Sequence, residues 1–186
     1  MAILRRIFIM NKKIETKSIA LSGLLLSMGI LLPIIFHIFG MTGPIVLPMH
    51  IPVLLGGFLL PTNMALLLGI ITPILSGMLT GMPVMFPMAV IMAFELGMYG
   101  FTASIATRKF NISILPALLI SMISGRITAG FVVALLTQFF GVKMNPIIFL
   151  KEAVITGIPG IIIQLIFIPS LVYAIRTFIK KPSINA

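Results

Sequence analysis

Six apolar segments, separated by short connections, limit what this chain can fold into. A helix needs about 20 mostly apolar residues to cross the hydrocarbon core of a bilayer. The chain is 60% hydrophobic and only 9% charged, with a mean hydropathy of +1.26, which is more apolar surface than a soluble core can bury. We therefore predict an all-α membrane protein, a bundle of six transmembrane helices. The predicted spans are Ser18–Phe39, Ile45–Leu60, Asn63–Leu79, Val84–Thr107, Ile112–Phe140 and Ile147–Phe178.

The basic residues lie near the ends of these segments and predict an orientation. They form three clusters: Arg5, Arg6, Lys12, Lys13 and Lys17; Arg108 and Lys109; and Arg176, Lys180 and Lys181. With six spans all three clusters fall on one face, which the positive-inside rule makes cytoplasmic. The second and third segments could instead form one re-entrant hairpin, but two spans fit the charge pattern better. We thus expect both termini to be cytoplasmic, with a basic lead-in at 1–17, a six-helix transmembrane domain at 18–178 and a cytoplasmic tail at 179–186.

Several function classes are disfavoured by what the sequence contains. There is no cysteine, and the two histidines have no suitably spaced further ligand, so we expect no metal site. The net charge of +10 is explained by membrane orientation rather than by nucleic-acid binding. Phosphate-loop, GxSxG and HExxH motifs are absent from the sequence, so we expect neither an enzyme nor a bound cofactor.

One carboxylate, Glu95, lies in the middle of the apolar stretch GMPVMFPMAVIMAFELGMYGF. An unpaired charge there would cost several kcal/mol, so Glu95 must be paired, protonated or facing a polar cavity. Arg126, in SMISGRITAGF, is the one basic residue at similar depth on another segment. A pair between them could simply fix the helix arrangement or could mark a substrate pathway. Tyr99 shares the helical face of Glu95, and Gln164 lies level with Arg126.

Other positions suggest contacts between segments. Ala20, Gly23 and Ser27 lie near one face of the first helix, where small residues let another helix approach closely. That helix could belong to this chain or to a partner. The apolar connection from 40 to 48, rich in Gly and Pro, is expected to fold over a site as a lid. Gly157, Pro159 and Gly160 (GIPG) are expected to break the last helix.

In order along the chain, six stretches resemble those of one family. They are IALSGLLLSMGILLP, LPMHIPVLLGGFLLP, TPILSGMLTGMP, FELGMYGF, SGRITAGF and TGIPGIIIQLIFIPSLV. From Lys12 to about Arg176 the chain resembles the substrate-binding S components of energy-coupling factor (ECF) transporters. The resemblance implies a vitamin-binding subunit in a prokaryotic plasma membrane. Its partners would be a transmembrane coupling subunit and two cytoplasmic ATPase subunits.

The resemblance also implies where the substrate binds. The site would open outward among helices four to six, beneath the first outer loop. Its implied contacts are Glu95, Tyr99, Arg126, Lys151 and Gln164, with His50 below the loop. In this family the first helix often carries alanines four apart for docking onto the coupling subunit, and Gly23 and Ser27 have that spacing here.

The sequence identifies the substrate less closely than it identifies the class of protein. Arg126 and Lys151 could bind a carboxylate, so we expect a small anionic vitamin such as pantothenate, then a folate or a thiamin precursor. The alternative is a self-sufficient ion-coupled transporter or channel that uses Glu95 as a titratable group. An intramembrane enzyme would lack a nucleophile–base pair.

Overall fold

Each predicted apolar segment is helical in the structure, a computed structural model that describes residues 2–40 and 43–180. These residues contain helices and short connections and no strand. The helices are α1 (Ala2–Ile38), α2 (Gly43–Val46), α3 (His50–Leu59), α4 (Thr62–Thr80), α5 (Val90–Arg108), α6 (Ile114–Phe140) and α7 (Pro146–Lys180), and a π-helical turn, Met85–Ala89, leads into α5.

Five segments of the described chain are long and apolar enough to cross a membrane. They are Thr16–Ile38, Thr62–Thr80, Met85–Arg108, Ile114–Phe140 and Pro146–Phe178. Each agrees with a predicted span to within two residues at either end. The predicted all-α membrane bundle is confirmed.

The remaining predicted span, Ile45–Leu60, is two short helices instead of one. Leu47 has a φ of +53° and precedes Pro48, whose ring disfavours a helical conformation in the residue before it. The chain becomes helical again at His50, and α3 is only about 15 Å long at 1.5 Å per residue. Nine of its ten residues are buried. A helix that is apolar on all sides packs inside protein, and α3 is the central helix of the bundle.

The bundle places α5 beside this central helix. α5 packs against α3, α4 and α6, while α1 packs against α3 and α4. Leu54 and Phe58 of α3, Leu96 of α5 and Leu118 of α6 form the core with Ile168 of α7, and all five are fully buried. The face of α5 that carries Glu95 is therefore enclosed by protein, whereas Phe94 on the opposite face is exposed.

The first and last helices both continue past the predicted limits of the membrane domain at residues 18 and 178. Helix α1 begins at Ala2 and runs through the predicted boundary at residue 17 without interruption. Helix α7 includes residues 179 and 180, and the rest of the predicted tail, 181–186, lies outside the described residues. The division into lead-in, membrane domain and tail remains a prediction.

The predicted break in the last helix is wrong, because α7 is continuous from Pro146 to Lys180. Its small residues instead let the connection that contains α2 approach closely. A Cβ on Gly160 would lie 2.7 Å from the carbonyl oxygen of Val46, and one on Gly157 would lie 3.2 Å from Leu47 Cδ1. Glycine at both positions allows the predicted lid segment to rest on α7.

Candidate functional site

Four polar side chains from three helices converge in the middle of the bundle. Arg126 Nη1 lies 2.7 Å from Glu95 Oε1, and the Tyr99 hydroxyl donates a hydrogen bond of 3.0 Å to the same oxygen. His50 Nε2 lies 3.8 Å from it, beyond hydrogen-bond distance. Glu95, Tyr99 and His50 are at most 4% exposed. The two charges predicted at similar depth form an ion pair in which the carboxylate is buried and the guanidinium is partly exposed.

The local sequence explains how these groups meet. Glu95 and Tyr99 are four residues apart on α5, so their side chains lie on one helical face. The Tyr99 ring lies against the backbone of α6 at Gly125, where an added Cβ would overlap the ring carbons. Helix α6 then presents Arg126 to the carboxylate from the neighbouring position.

His50 is the least satisfied member of this polar cluster. Neither of its ring nitrogens has a hydrogen-bond partner within the described part of the chain, although both are buried. Its ring packs at a tilted angle on the Tyr99 ring, with 5.5 Å between the centroids. A buried imidazole without partners costs free energy, so a partner for His50 would stabilise the site.

Gln164 on α7 contacts the predicted lid segment. It is 1% exposed, and its Nε2 donates to the carbonyl oxygen of Leu47 over 3.5 Å, a long hydrogen bond. The same carbonyl accepts the backbone N–H of His50 at 3.1 Å. The left-handed turn at Leu47 is thereby linked to α7 on one side and to the start of α3 on the other.

A cavity of about 360 Å³ lies beside this cluster, between α6 and α7, and opens to the outer surface of the bundle, where Ile123 and Ile127 are exposed. Tyr99, Arg126 and Gln164 are the polar residues among those that line it. Eight of its eleven lining residues are aliphatic or methionine: Leu47, Leu119, Met122, Ile123, Ile127, Leu150, Val154 and Ile161. The surface of the cavity is thus almost entirely apolar, and the three polar residues contribute to its wall mainly through their carbon atoms.

The six predicted contact residues fall into three groups. Tyr99, Arg126 and Gln164 line the cavity, while Glu95 and His50 lie behind its wall and contact Tyr99 or Arg126. Lys151 is exposed and does not line it. Within the described residues, no three His, Cys, Asp or Glu side chains come together in a way that could hold a metal ion.

The sequence interpretation missed the apolar lining and the role of Leu47. The aliphatic residues of α6 and α7 have the same chemistry as residues that face lipid, so nothing in their identity distinguishes them. For Leu47 a signal existed, because the residue before a proline is biased away from helix. A break at that point would have placed its carbonyl group at the end of a helix.

The small residues of α1 lie on the outside of the bundle. Ala20, Gly23 and Ser27 are all exposed, and a Cβ built on Gly23 would meet nothing within 4 Å. Gly29 behaves differently, because a Cβ there would lie 2.5 Å from Thr72 Cγ2 on α4. Packing within the chain therefore uses Gly29, and the face that contains Gly23 is open.

Fold and site together define a multi-pass membrane protein with a mainly apolar cavity beside an ion pair. A family model described as "ECF transporter, substrate-specific component" matches residues 17–175. The match covers well over half of the chain, and the chain belongs to this family of transporter subunits. Comparisons with curated proteins and with solved structures give no match. Membership implies association with a membrane coupling component and ATPase subunits, and a small-molecule substrate.

Proposed function

We propose that this protein is the high-affinity substrate-binding subunit of an ATP-driven ECF importer for a water-soluble vitamin or related micronutrient. The observation that carries the proposal is the cavity between α6 and α7, which has Arg126, Tyr99 and Gln164 on its wall. Small-molecule sites are mostly apolar, with a few polar groups that orient the ligand. This cavity has that composition, and family membership supplies the transport function.

The size of the cavity supports a compact substrate. At about 360 Å³ it lies near the lower end of the range for small-molecule sites, roughly 300–1,000 Å³. By size alone, a thiamin precursor or a vitamin as small as pantothenate therefore fits the proposal better than a folate. The expectation of an anion rested on Arg126 and Lys151. Arg126 is paired with Glu95 and Lys151 is outside the cavity, so neither is a free cation within it.

For the transport step, we propose that the open face of α1 docks onto the transmembrane coupling subunit. Ala20, Gly23 and Ser27 are exposed there, and close approach of a helix needs small residues of this kind. Two cytoplasmic ATPase subunits would supply the energy. The proposed location is the prokaryotic plasma membrane, with both termini cytoplasmic according to the positive-inside rule, which requires α2 and α3 together to make the sixth crossing.

The first experiment is a thermal-shift screen of the detergent-purified chain against a panel of water-soluble vitamins. A ligand present at 100 times its Kd should stabilise the folded state by about 2.7 kcal/mol. We expect one compact vitamin to raise Tm, and Arg126→Gln to remove that response because Arg126 lines the cavity. Lys143→Gln, which changes an exposed loop cation, should keep the response. A panel without any hit would count against a vitamin substrate.

A transport assay then tests the subunit assignment. In proteoliposomes, the purified chain alone should not accumulate the ligand, whereas the complex with its coupling and ATPase subunits should do so when ATP is present. Accumulation by the chain alone would contradict the proposal.

A further inference from the structure

The charges around the cavity cancel one another. Among the described residues that line it, Arg126 is the only charged one, and its Nη1 lies 2.7 Å from Glu95 Oε1. Within the described residues neither buried ring nitrogen of His50 has a hydrogen-bond partner, so protonation would bury a charge and a second unpaired N–H donor. With His50 neutral, the polar cluster carries one positive and one negative charge and has no net charge.

A charged ligand would disturb this balance. A carboxylate that approached Arg126 from the cavity would bring a second negative charge close to Glu95, with one guanidinium between them. A cationic ligand would be repelled by Arg126 at the cavity wall. Both cases leave an excess charge against an almost wholly apolar surface, where charges need close partners.

An uncharged ligand meets neither difficulty. Nη1 of Arg126 is committed to Glu95, whereas Nη2 extends toward α7 and would lie 3.6 Å from a Cβ on Gly157. A guanidinium has five N–H donors, so several remain for a neutral acceptor such as an amide carbonyl or a hydroxyl group. The aliphatic lining can take up the apolar part of the same molecule.

We propose that the substrate is uncharged at neutral pH, with an apolar body and a hydrogen-bond acceptor that faces Arg126, and that the pairing of Arg126 with Glu95 is what discriminates against anionic analogues. This rests on the proposed function, since it concerns the ligand of the same cavity. It assigns Glu95 the role of a specificity residue that acts through Arg126.

Matched pairs of acids and neutral derivatives test the proposal on the unmodified protein. Suitable probes are pantothenate with panthenol, nicotinate with nicotinamide, and biotin with biotin amide, measured by thermal shift and titration calorimetry beside the vitamin panel. In any pair that binds, the uncharged member should have a Kd at least about tenfold lower. An acid that binds as tightly as its neutral partner, or a panel whose only hit is charged, would overturn the proposal while leaving the proposed function intact.

Glu95→Gln provides the second test, because it removes the negative charge and keeps a side chain of the same shape. Arg126 then has no counter-charge, so the preference for the neutral member should be lost, and the acid of a pair should gain at least about tenfold relative to its neutral partner. Glu152→Gln makes the same change at an exposed position on α7 and should leave the preference unaltered. An unchanged preference in Glu95→Gln would overturn the role of the ion pair. If that variant does not fold, the comparison in the unmodified protein still decides the ligand class, and a complete absence of binding would count against the proposed function and this inference together.

Discussion

The buried pair of Glu95 and Arg126 makes a quantitative prediction about stability. At an effective dielectric constant of about 20, two unit charges 2.7 Å apart attract each other by roughly 6 kcal/mol. Much of that is offset by the cost of removing both charges from water, so the net value of the intact pair is small. Removing one partner leaves the other charge without a counter-charge, and such changes lower the free energy of unfolding by about 3–5 kcal/mol.

We therefore expect Glu95→Gln and Arg126→Met each to destabilise the protein strongly, and the double variant to recover most of the loss. In a chain of this size, 1 kcal/mol shifts Tm by roughly 2–4 °C, so each single variant should lower Tm by roughly 6–20 °C. The double variant should come within about 1–2 kcal/mol of the unmodified protein, because it has no stranded charge. Thermal unfolding of the four proteins in one detergent gives the coupling energy directly.

Lys143→Met is the matched control, since it removes a cation from an exposed loop position and should change Tm very little. Additive effects in the double variant would refute the reasoning, because they would mean that the two charges do not stabilise each other. Single variants as stable as the unmodified protein would refute it as well.

Three further predictions follow from close contacts and from one open face. Gly125→Ala should displace the Tyr99 ring, destabilise the protein by about 1–3 kcal/mol and weaken ligand binding, whereas the control Gly23→Ala should be tolerated. Thermal unfolding measures the change in stability, and titration calorimetry measures the change in Kd. Gly160→Ala should push Val46 away from α7 and raise the Kd of the ligand, and an unaltered Kd would show that this contact is not needed for binding. Gly23→Leu should leave ligand binding intact and reduce uptake by the complete transporter, because it blocks the open face of α1; normal uptake would make that face irrelevant to docking.

The fold could be predicted from the sequence wherever an apolar segment is long enough to cross a bilayer. Bilayer thickness and the need to satisfy backbone hydrogen bonds fix both the type and the length of such a segment. The prediction of one spanning helix was wrong for Ile45–Leu60. This segment is apolar because neighbouring helices bury it, and not because it crosses the lipid as a single helix. Burial by neighbouring helices depends on tertiary packing, which segment length does not reveal.

The polar half of the site was predictable for a related reason. Charged groups are rare within membrane segments, so Glu95 and Arg126 stood out, and helix geometry predicted that they could meet. Lys151 shows the weakness of that approach, because a cation near the end of a helix can extend to the surface instead. The apolar half was not predictable, since a side chain that lines a cavity and one that faces lipid have the same composition.

The surroundings of Glu95 also bear on the alternative of a self-sufficient ion-coupled carrier. Such a carrier would need this carboxylate to bind and release an ion as the protein changes state. Glu95 is instead at most 3% exposed at its side chain, with Arg126 and Tyr99 both bound to one of its oxygens. Ion exchange would have to break contacts between α5 and α6 that also shape the cavity wall. A carboxylate that holds two lining residues in position suits a binding subunit, in which the site must be formed before the ligand arrives and the energy comes from partner proteins.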